Sequence, residues 1–369
     1  MSRSSHAIIN LSSVQSNLQK LIALTNGAKI IAVVKADAYG NGAVEVAKLL
    51  EDKVDLLAVA FLDEALALRN AGINKTILIL QGAHHADDFD QGENNQFIWI
   101  MHSYWQLDAY REYLSRSKMP PCAWIKFDTG MHRLGFPIND FNRVIDDYGD
   151  IIDENSAIVT HLARSDEPDQ SHVNMQIASF LKAIEKTEFP LCIANSATSI
   201  RFPHAHKNYV RLGIAMYGST PFEAADNPIE LTPVMSLHSQ IIALRTIPKG
   251  DTVGYGGTWR APKESVIATV AIGYGDGYPR HAPTGTPAWC NNQIIPLVGR
   301  VSMDMLTFDV SGLDDPQIGD LVELWGNKLA INDVAEHIGT IGYELMTRVS
   351  KRIPRHYIYP GSPENKGNK

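Results

Sequence analysis

The sequence predicts an α/β protein: a (β/α)8 barrel of the TIM type followed by a mainly antiparallel β domain. Three observations predict it. Up to about residue 229, short β-branched apolar runs alternate with stretches of helical periodicity, the pattern of a parallel sheet covered by helices. From about Glu230 the runs become longer and alternating and are cut by Gly and Pro, as antiparallel strands are. The length of 369 residues exceeds one ordinary core and suits a barrel of ~250 residues with a smaller second domain. The expected domains are residues 1–229, the barrel, and residues 230–369, the β-rich domain.

In chain order, Ser12 to Leu24 reads as a helix, with Ser12 and Gln15 in a capping-box arrangement and Leu18, Leu21 and Ile22 at helical spacing. Eight apolar runs follow as barrel strands: Ile30 to Val34, Val54 to Ala60, Thr76 to Leu80, Phe97 to Ile100, Ala123 to Phe127, Ala157 to His161, Leu191 to Ala194 and Tyr209 to Leu212. Helical patterns such as Leu62 to Asn70, Trp105 to Leu114 and Asn174 to Ile184 separate them, and eight such units close naturally into a barrel. In the second domain, Met235 to Ile247, Ser265 to Ile272, Gln293 to Val298 and Met303 to Val310 read as strands. Two Tyr-Gly clusters, around Tyr255 and Tyr274, read either as ordinary hairpins or as tightly placed phenols with close backbone approach.

Composition narrows the function. A formal charge of −8 gives no footprint for nucleic acid or an anionic membrane surface. The three cysteines, Cys122, Cys192 and Cys290, lack metal spacing, so no metal site is expected and reduced thiols in the cytoplasm are. Met1 to Ser13 has too short an apolar patch for a signal peptide, nothing approaches a membrane span, and only the tail after Pro360 is polar and of low complexity.

Lys35 ends the first barrel run and precedes a Gly-rich turn. The carboxyl ends of parallel strands carry the chemistry in such folds, and a lysine that loses hydration there becomes a nucleophile or Schiff-base partner. The alternative is a solvated lysine at a strand end. Lys126 to Arg133, His161, Asn195-Ser196 and Arg211 also lie at or just beyond strand ends, so the barrel should bring them to one face. Taken singly, His161 reads as a core histidine and Arg211 as half of an ion pair. Their convergence on one mouth is the signature of an active site.

The motifs Ala32-Val33-Val34-Lys35-Ala36-Asp37-Ala38-Tyr39-Gly40, Lys126 through Gly135, Asn195-Ser196-Ala197, Arg211 through Gly218, Gly254-Tyr255-Gly256 and Gly299-Arg300-Val301-Ser302-Met303-Asp304 together resemble the alanine racemases, from about Ala7 to Tyr359. The resemblance implies a pyridoxal 5'-phosphate enzyme that interconverts L- and D-alanine, with Lys35 bonded to the cofactor. It implies that Tyr39, Ser196, Gly213, Ile214 and Tyr343 hold the phosphate, that Arg211 faces the pyridine nitrogen, and that His161 lies beside the ring. Arg133 and the backbone around Met303 are implied to fix the cofactor hydroxyl or the substrate carboxylate, with Asp304 behind them. Tyr274, Tyr343, Asp166, Arg300 and Ile341 would line the substrate corridor. A homodimer with shared sites is implied, because Tyr255 in this family reaches the other subunit's site.

Inverting an α-carbon takes a proton from one face and returns one to the other, so two groups are needed: Lys35 and, from the partner subunit, Tyr255. Two positions depart from the family pattern: Ser302 stands where cysteine is frequent, and His132 where glycine is. Lys126 matches a lysine that some members carbamylate; here it reads either so or as an unmodified amine paired with Asp128 or a bound anion. The alternatives in function are a racemase of broader range, serine included, and a related barrel decarboxylase. The latter expects an acidic group at the pyridine nitrogen, where this sequence has Arg211. D-alanine made for cell-wall peptidoglycan and D-alanine consumed remain equally open.

Overall fold

Every barrel strand is buried on both faces, and this is why the strands are continuous apolar runs rather than alternating ones. In the computed structural model, which describes residues 4–93, 95–117, 122–153, 155–223 and 226–362, eight parallel strands close on themselves. They are β2 (Lys29–Val33), β3 (Leu56–Val59), β4 (Ile77–Ile79), β5 (Phe97–Met101) and β6 (Cys122–Asp128), then Ile158–Val159, Leu191–Cys192 and Tyr209–Leu212. The last returns to β2 with Arg211 opposite Ile31, which closes the ring. The expected runs are thus the strands, shortened at their ends where the chain turns out to the mouth. Most of the polar tail expected after Pro360, and the first three residues of the segment Met1 to Ser13, lie outside the described residues.

Two features at the start of the chain were not expected. Residues His6–Asn10 form a strand, β1, which pairs antiparallel with Met235–Ile247 and parallel with Arg355–Ile358, inside the sheet of the second domain. Because β1 runs to Asn10, helix α1 spans Leu11–Leu24, and its cap is Asn10 rather than Ser12. The Asn10 side-chain oxygen accepts from the N–H groups of Ser12 at 3.0 Å and Ser13 at 3.2 Å, which asparagine at this position does well. One turn on, buried Asn17 donates to Met216 O at 3.2 Å and Thr232 O at 2.8 Å, and ties the end of the barrel to the chain leaving it.

The second domain is the antiparallel sheet expected, built around the long strand Met235–Ile247, which pairs with Leu321–Trp325, Ser265–Val270 and β1. The run expected from Met303 to Val310 is a strand only over Leu306–Asp309, because Ser302 N donates to Met305 O at 3.0 Å and turns the chain before it. Two helices, Ile331–Ile338 and Gly342–Arg348, complete this part. One apolar core runs through both regions without a break. Among the described residues no helix is long and apolar enough to cross a membrane, and no group of three or more His, Cys, Asp or Glu is placed to hold a metal ion.

The regions meet at Gly40, just after β2. Its φ is +80°, and a Cβ there would collide with the Met346 carbonyl of the second domain, while Arg355 Nε donates to the Gly40 carbonyl at 2.8 Å. Gly40→Ala should therefore cost about 2 kcal/mol or more, from left-handed strain plus overpacking. Urea denaturation reads this as a lower midpoint at an unchanged slope; an unmoved midpoint would mean that the seam yields without cost.

Candidate active site

The residue that the sequence places at the head of the site leads into the longest run of left-handed non-glycine backbone among the described residues. Beyond β2 and Val34, Lys35 opens a turn, α2 (Lys35–Tyr39), in which Ala36, Asp37 and Ala38 have φ/ψ of 51°/52°, 54°/47° and 52°/50°, and Tyr39 has φ 56°. This is a left-handed helical turn of non-glycine residues, each costing roughly 1–2 kcal/mol. Local bonds oppose that cost: Gly40 N donates to Ala36 O at 2.9 Å, Ala43 N to Asp37 Oδ1 at 2.8 Å, and Asn41 Nδ2 to Ala38 O at 2.9 Å. From the adjacent strand end, the Glu64 carboxylate accepts from Ala36 N at 2.6 Å. The reversal carries Tyr39 back into the mouth, buried, with its ring 5.0 Å from that of Tyr217 and 5.9 Å from that of Tyr343.

Arg211 lies across the mouth, 5% exposed. It donates to the carbonyls of Thr160 at 2.9 Å, Cys192 at 3.0 Å and Ile193 at 3.2 Å, to Cys192 Sγ at 2.9 Å and to His161 Nδ1 at 3.1 Å. None of these partners is a carboxylate. The Thr160 and Ile193 carbonyls lie one residue past their strands, and the Cys192 carbonyl accepts from Arg211 besides Thr160 N at 3.2 Å, so the guanidinium is oriented but its charge is not cancelled.

The neighbours respond to that charge. Burial, then Arg211, Lys126, Arg133 and Lys35, hold His161 far below its ordinary value, so the ring is neutral and its Nδ1 accepts from Arg211. Burial first, then Arg133 and Arg211, bring Lys35 down, against the opposing pull of Glu64. Lys126, buried on β6, is brought down to about 8 by burial, Arg211, Arg133 and Lys35, with only Asp128 pulling the other way. Four cations thus share one mouth with too few carboxylates, and such a cavity stabilises an anion.

A glycine shapes the place for that anion. Gly213 N donates to Ser196 Oγ at 2.8 Å, and a Cβ on Gly213 would stand 2.7 Å from the Tyr39 hydroxyl. The glycine lets a phenol, a serine hydroxyl and the start of the turn Ile214–Tyr217 approach one another. Tyr343 closes over Tyr39 from the second domain; burial, with Tyr39 and Asp166 adding, pushes its phenol up, so it stays protonated and is a donor for an anion.

Arg133 sits on the loop after β6, within the field felt by Lys35 and Lys126. Asp128 organises that loop: one carboxylate oxygen accepts from Gly130 N and Met131 N at 2.9 Å and His132 N at 3.1 Å, and the other lies 3.0 Å from His132 Nδ1. His132 has φ 55°, in the region that favours glycine, which gives the family's glycine a physical reason. Here the bond to Asp128 offsets the strain.

Lys35, Tyr39, His161, Ser196, Arg211, Gly213, Ile214, Tyr343, Lys126 and Arg133 therefore come to one mouth, and three expected residues do not. Tyr255 is 71% exposed, on a glycine turn of the second domain beside Arg300, and is not among the groups that act on Lys35. Met303 is exposed, and its carbonyl accepts from Gly275 N at 2.8 Å. Asp304 forms an ion pair with Arg352 at 2.6 Å. Glu64, Cys192 and Thr160, which do touch this site, were missed. Only Glu64 carried a signal, an acidic residue at the third position of helix α3 (Leu62–Asn70), and that signal speaks for capping alone.

The family model of the alanine racemase N-terminal domain matches residues 9–221, and that of the C-terminal domain residues 234–357. The alanine racemase of Alteromonas mediterranea is 42% identical over 359 residues, 97% of this chain and 100% of that protein. Among solved structures, the biosynthetic alanine racemase from Pseudomonas aeruginosa superposes with a TM-score of 0.90 at 38% identity, covering 97% of this chain and 100% of the other. The alanine racemase from Bartonella henselae, described with covalently bound pyridoxal phosphate, gives 0.89 at 29%, covering 96% and 99%.

A lysine brought down by burial and cations burdens the fold while protonated, a burden lifted as pH rises from about 8 towards the usual lysine range near ~10.4. Competitive acetylation with trace anhydride should give Lys126 a reactivity midpoint near pH 8, and phosphate occupying the mouth should raise it. A midpoint at the ordinary lysine value would show that the cations do not act on Lys126.

Proposed function

This chain belongs to the alanine racemase family of isomerases, and we propose that it interconverts L- and D-alanine on pyridoxal 5'-phosphate with two bases, Lys35 and Tyr255 of the partner subunit. The observation that carries this reading is Arg211, a buried guanidinium fixed by carbonyls, a thiol and a neutral imidazole, with no carboxylate among its partners. A decarboxylase of similar plan needs an acid at that place.

The residues at the mouth fit the cofactor. Lys35 offers a partly desolvated amine to an aldehyde; the unbalanced cations suit a phosphate ester; the gap kept open by Gly213 beside Tyr39 and Ser196 suits its oxygens, with Ile214 and Tyr343 at the rim. Arg211 is the residue for the pyridine nitrogen and neutral His161 for the ring beside it. When bound, the cofactor draws electron density from the substrate's Cα and loosens its proton.

The chain's own residues do the rest. Arg133 binds the substrate carboxylate through paired N–H groups, with the Met303 backbone and Asp304 implied beside it by the resemblance. Lys35 Nζ takes or returns the proton on one face, and the partner's Tyr255 does so through Oη on the other. Arg211 does not yield its own proton, so it leaves the pyridine nitrogen unprotonated and keeps electron withdrawal modest. The result favours returning the proton to Cα over delivering it elsewhere. Lys126 has a fraction of free amine at neutral pH; that amine can add to carbon dioxide, forming an N–C bond and releasing one proton, and the new carboxylate would be neutralised by Arg133 and Arg211. A bound anion beside unmodified Lys126 satisfies the same charge. The homodimer is supported by the exposure of Tyr255, Met303 and Ile341 on the second domain, and the cytoplasm by three unpaired cysteines.

The shared site makes a mixing experiment decisive. Lys35→Ala and Tyr255→Phe subunits are each expected to be inactive alone. If the two residues act across the dimer, each mixed dimer holds one site with both lesions and one with neither, so an equal mixture should regain about a quarter of wild-type activity. Confirmed subunit exchange without recovery sinks the arrangement. Arg211→Glu should let the pyridine nitrogen protonate, lower racemisation and raise the fraction of turnovers that end in pyruvate. The ratio of pyruvate to racemised product per bound cofactor decides: an unchanged ratio makes Arg211 a scaffold residue.

A further inference from the structure

The left-handed turn after Lys35 needs an anchor outside itself. Four successive non-glycine residues with φ between 51° and 56° do not hold that shape by local preference. Most of the bonds that oppose the strain arise within the turn or just beyond it. Among the bonds to residues 36–39 themselves, one does not: Glu64 Oε1, from the first turn of α3, accepts from Ala36 N at 2.6 Å. Its other oxygen, Oε2, accepts from Ala60 N at 2.8 Å and Phe61 N at 3.2 Å, where β3 ends. A helix-capping glutamate accounts for the bonds to Ala60 and Phe61 and not for the bond to Ala36, which belongs to a different strand end.

We propose that Glu64 is a positioning residue for Lys35: its carboxylate clamps the ends of β2 and β3 together and fixes the left-handed turn that aims the lysine into the barrel mouth. The placement also gives Glu64 a second effect. Lys35 faces Arg133, Arg211, Lys126 and His161, and Glu64 is the carboxylate that pulls against this set. One side chain thus holds the backbone of the lysine and moderates its loss of charge. Glutamine in its place keeps an acceptor for Ala36 but loses the charge and the second pair of bonds; alanine loses everything.

The proposal rests on Lys35 as the cofactor lysine only for its second readout. The first is competitive acetylation of Lys35 in full-length chain freed of cofactor, across pH, wild type against Glu64→Gln. Removing the anion should move the reactivity midpoint of Lys35 to lower pH while leaving that of a remote surface lysine, Lys263, where it was. The second is the rate at which hydroxylamine strips cofactor from the holoenzyme: Glu64→Ala should lose it about tenfold faster, the scale of one charge-assisted hydrogen bond. An unmoved midpoint in Glu64→Gln overturns the proposal, and so does an unchanged stripping rate in Glu64→Ala. If Glu64→Ala does not fold, the stripping rate of Glu64→Gln replaces it, with the same expected direction and the same overturning result. Borohydride trapping of cofactor on another lysine would refute Lys35 as the attachment point and leave the midpoint shift in place, so the two failures are distinguishable.

Discussion

The barrel mouth is organised by a positive charge that the protein orients and does not neutralise. Burying a guanidinium without a counter-ion is costly, and carbonyl dipoles recover only part of that cost. The carbonyls of Thr160, Cys192 and Ile193 come from two adjacent strand ends, and the Cys192 carbonyl accepts from Arg211 as well as from Thr160 N. Burial first, and then the uncancelled charges, act on the titratable neighbours of Arg211: His161 is neutral, Lys126 is brought down to about 8, and Lys35 is brought down as well. A site so arranged is incomplete until an anion arrives, and in the proposed reading the cofactor's phosphate and the substrate's carboxylate both bring negative charge to it.

The second constraint is steric. A lysine on a regular strand end would be followed by chain heading outward, whereas this chain must turn back at once to bring Tyr39 beside Gly213. The left-handed turn makes that reversal in five residues, and the second domain locks it from outside through Arg355 on the Gly40 carbonyl and Tyr343 over Tyr39. The seam is therefore part of the site's foundation. β1 strengthens it, since the strand that leads into the barrel's first helix is hydrogen-bonded into the sheet of the other domain.

The barrel was legible because its strands are buried on both faces and so write themselves as apolar runs; Phe97 to Ile100 and Tyr209 to Leu212 need no other signal. The polar residues at their ends were legible for the same reason, since a strand that stops leaves its next residue at the mouth. Other parts leave no comparable trace. β1 is five residues long with a modest alternation, and its partners lie more than two hundred residues away. Asn10 takes the cap from Ser12 only because β1 exists. The left-handed turn is invisible, because Ala36, Asp37 and Ala38 have no intrinsic preference for it and tertiary bonds impose it. Glu64 is visible as a helix cap, yet its bond to Ala36 depends on two strands being neighbours in the barrel. His132 is the converse case, an odd residue whose positive φ and bond to Asp128 explain it only after the loop is seen.

In the proposed mechanism, Tyr255 marks where a single chain stops being sufficient. The mouth supplies several cations, a neutral imidazole and phenols that burial keeps protonated, Tyr39 and Tyr343. A phenol pushed up in this way is a donor for phosphate oxygens and a poor place to put a proton taken from carbon. In the proposed mechanism the second face is served instead by Tyr255, which is 71% exposed on a turn whose glycines at 254, 256 and 257 all have positive φ and let the backbone project it. An exposed aromatic, with Met303, Met305 and Ile341 also exposed on the second domain, has the composition of a surface made to be covered. In the proposed dimer one contact satisfies both needs: the surface is buried, and the phenol reaches a lysine that its own chain keeps out of range.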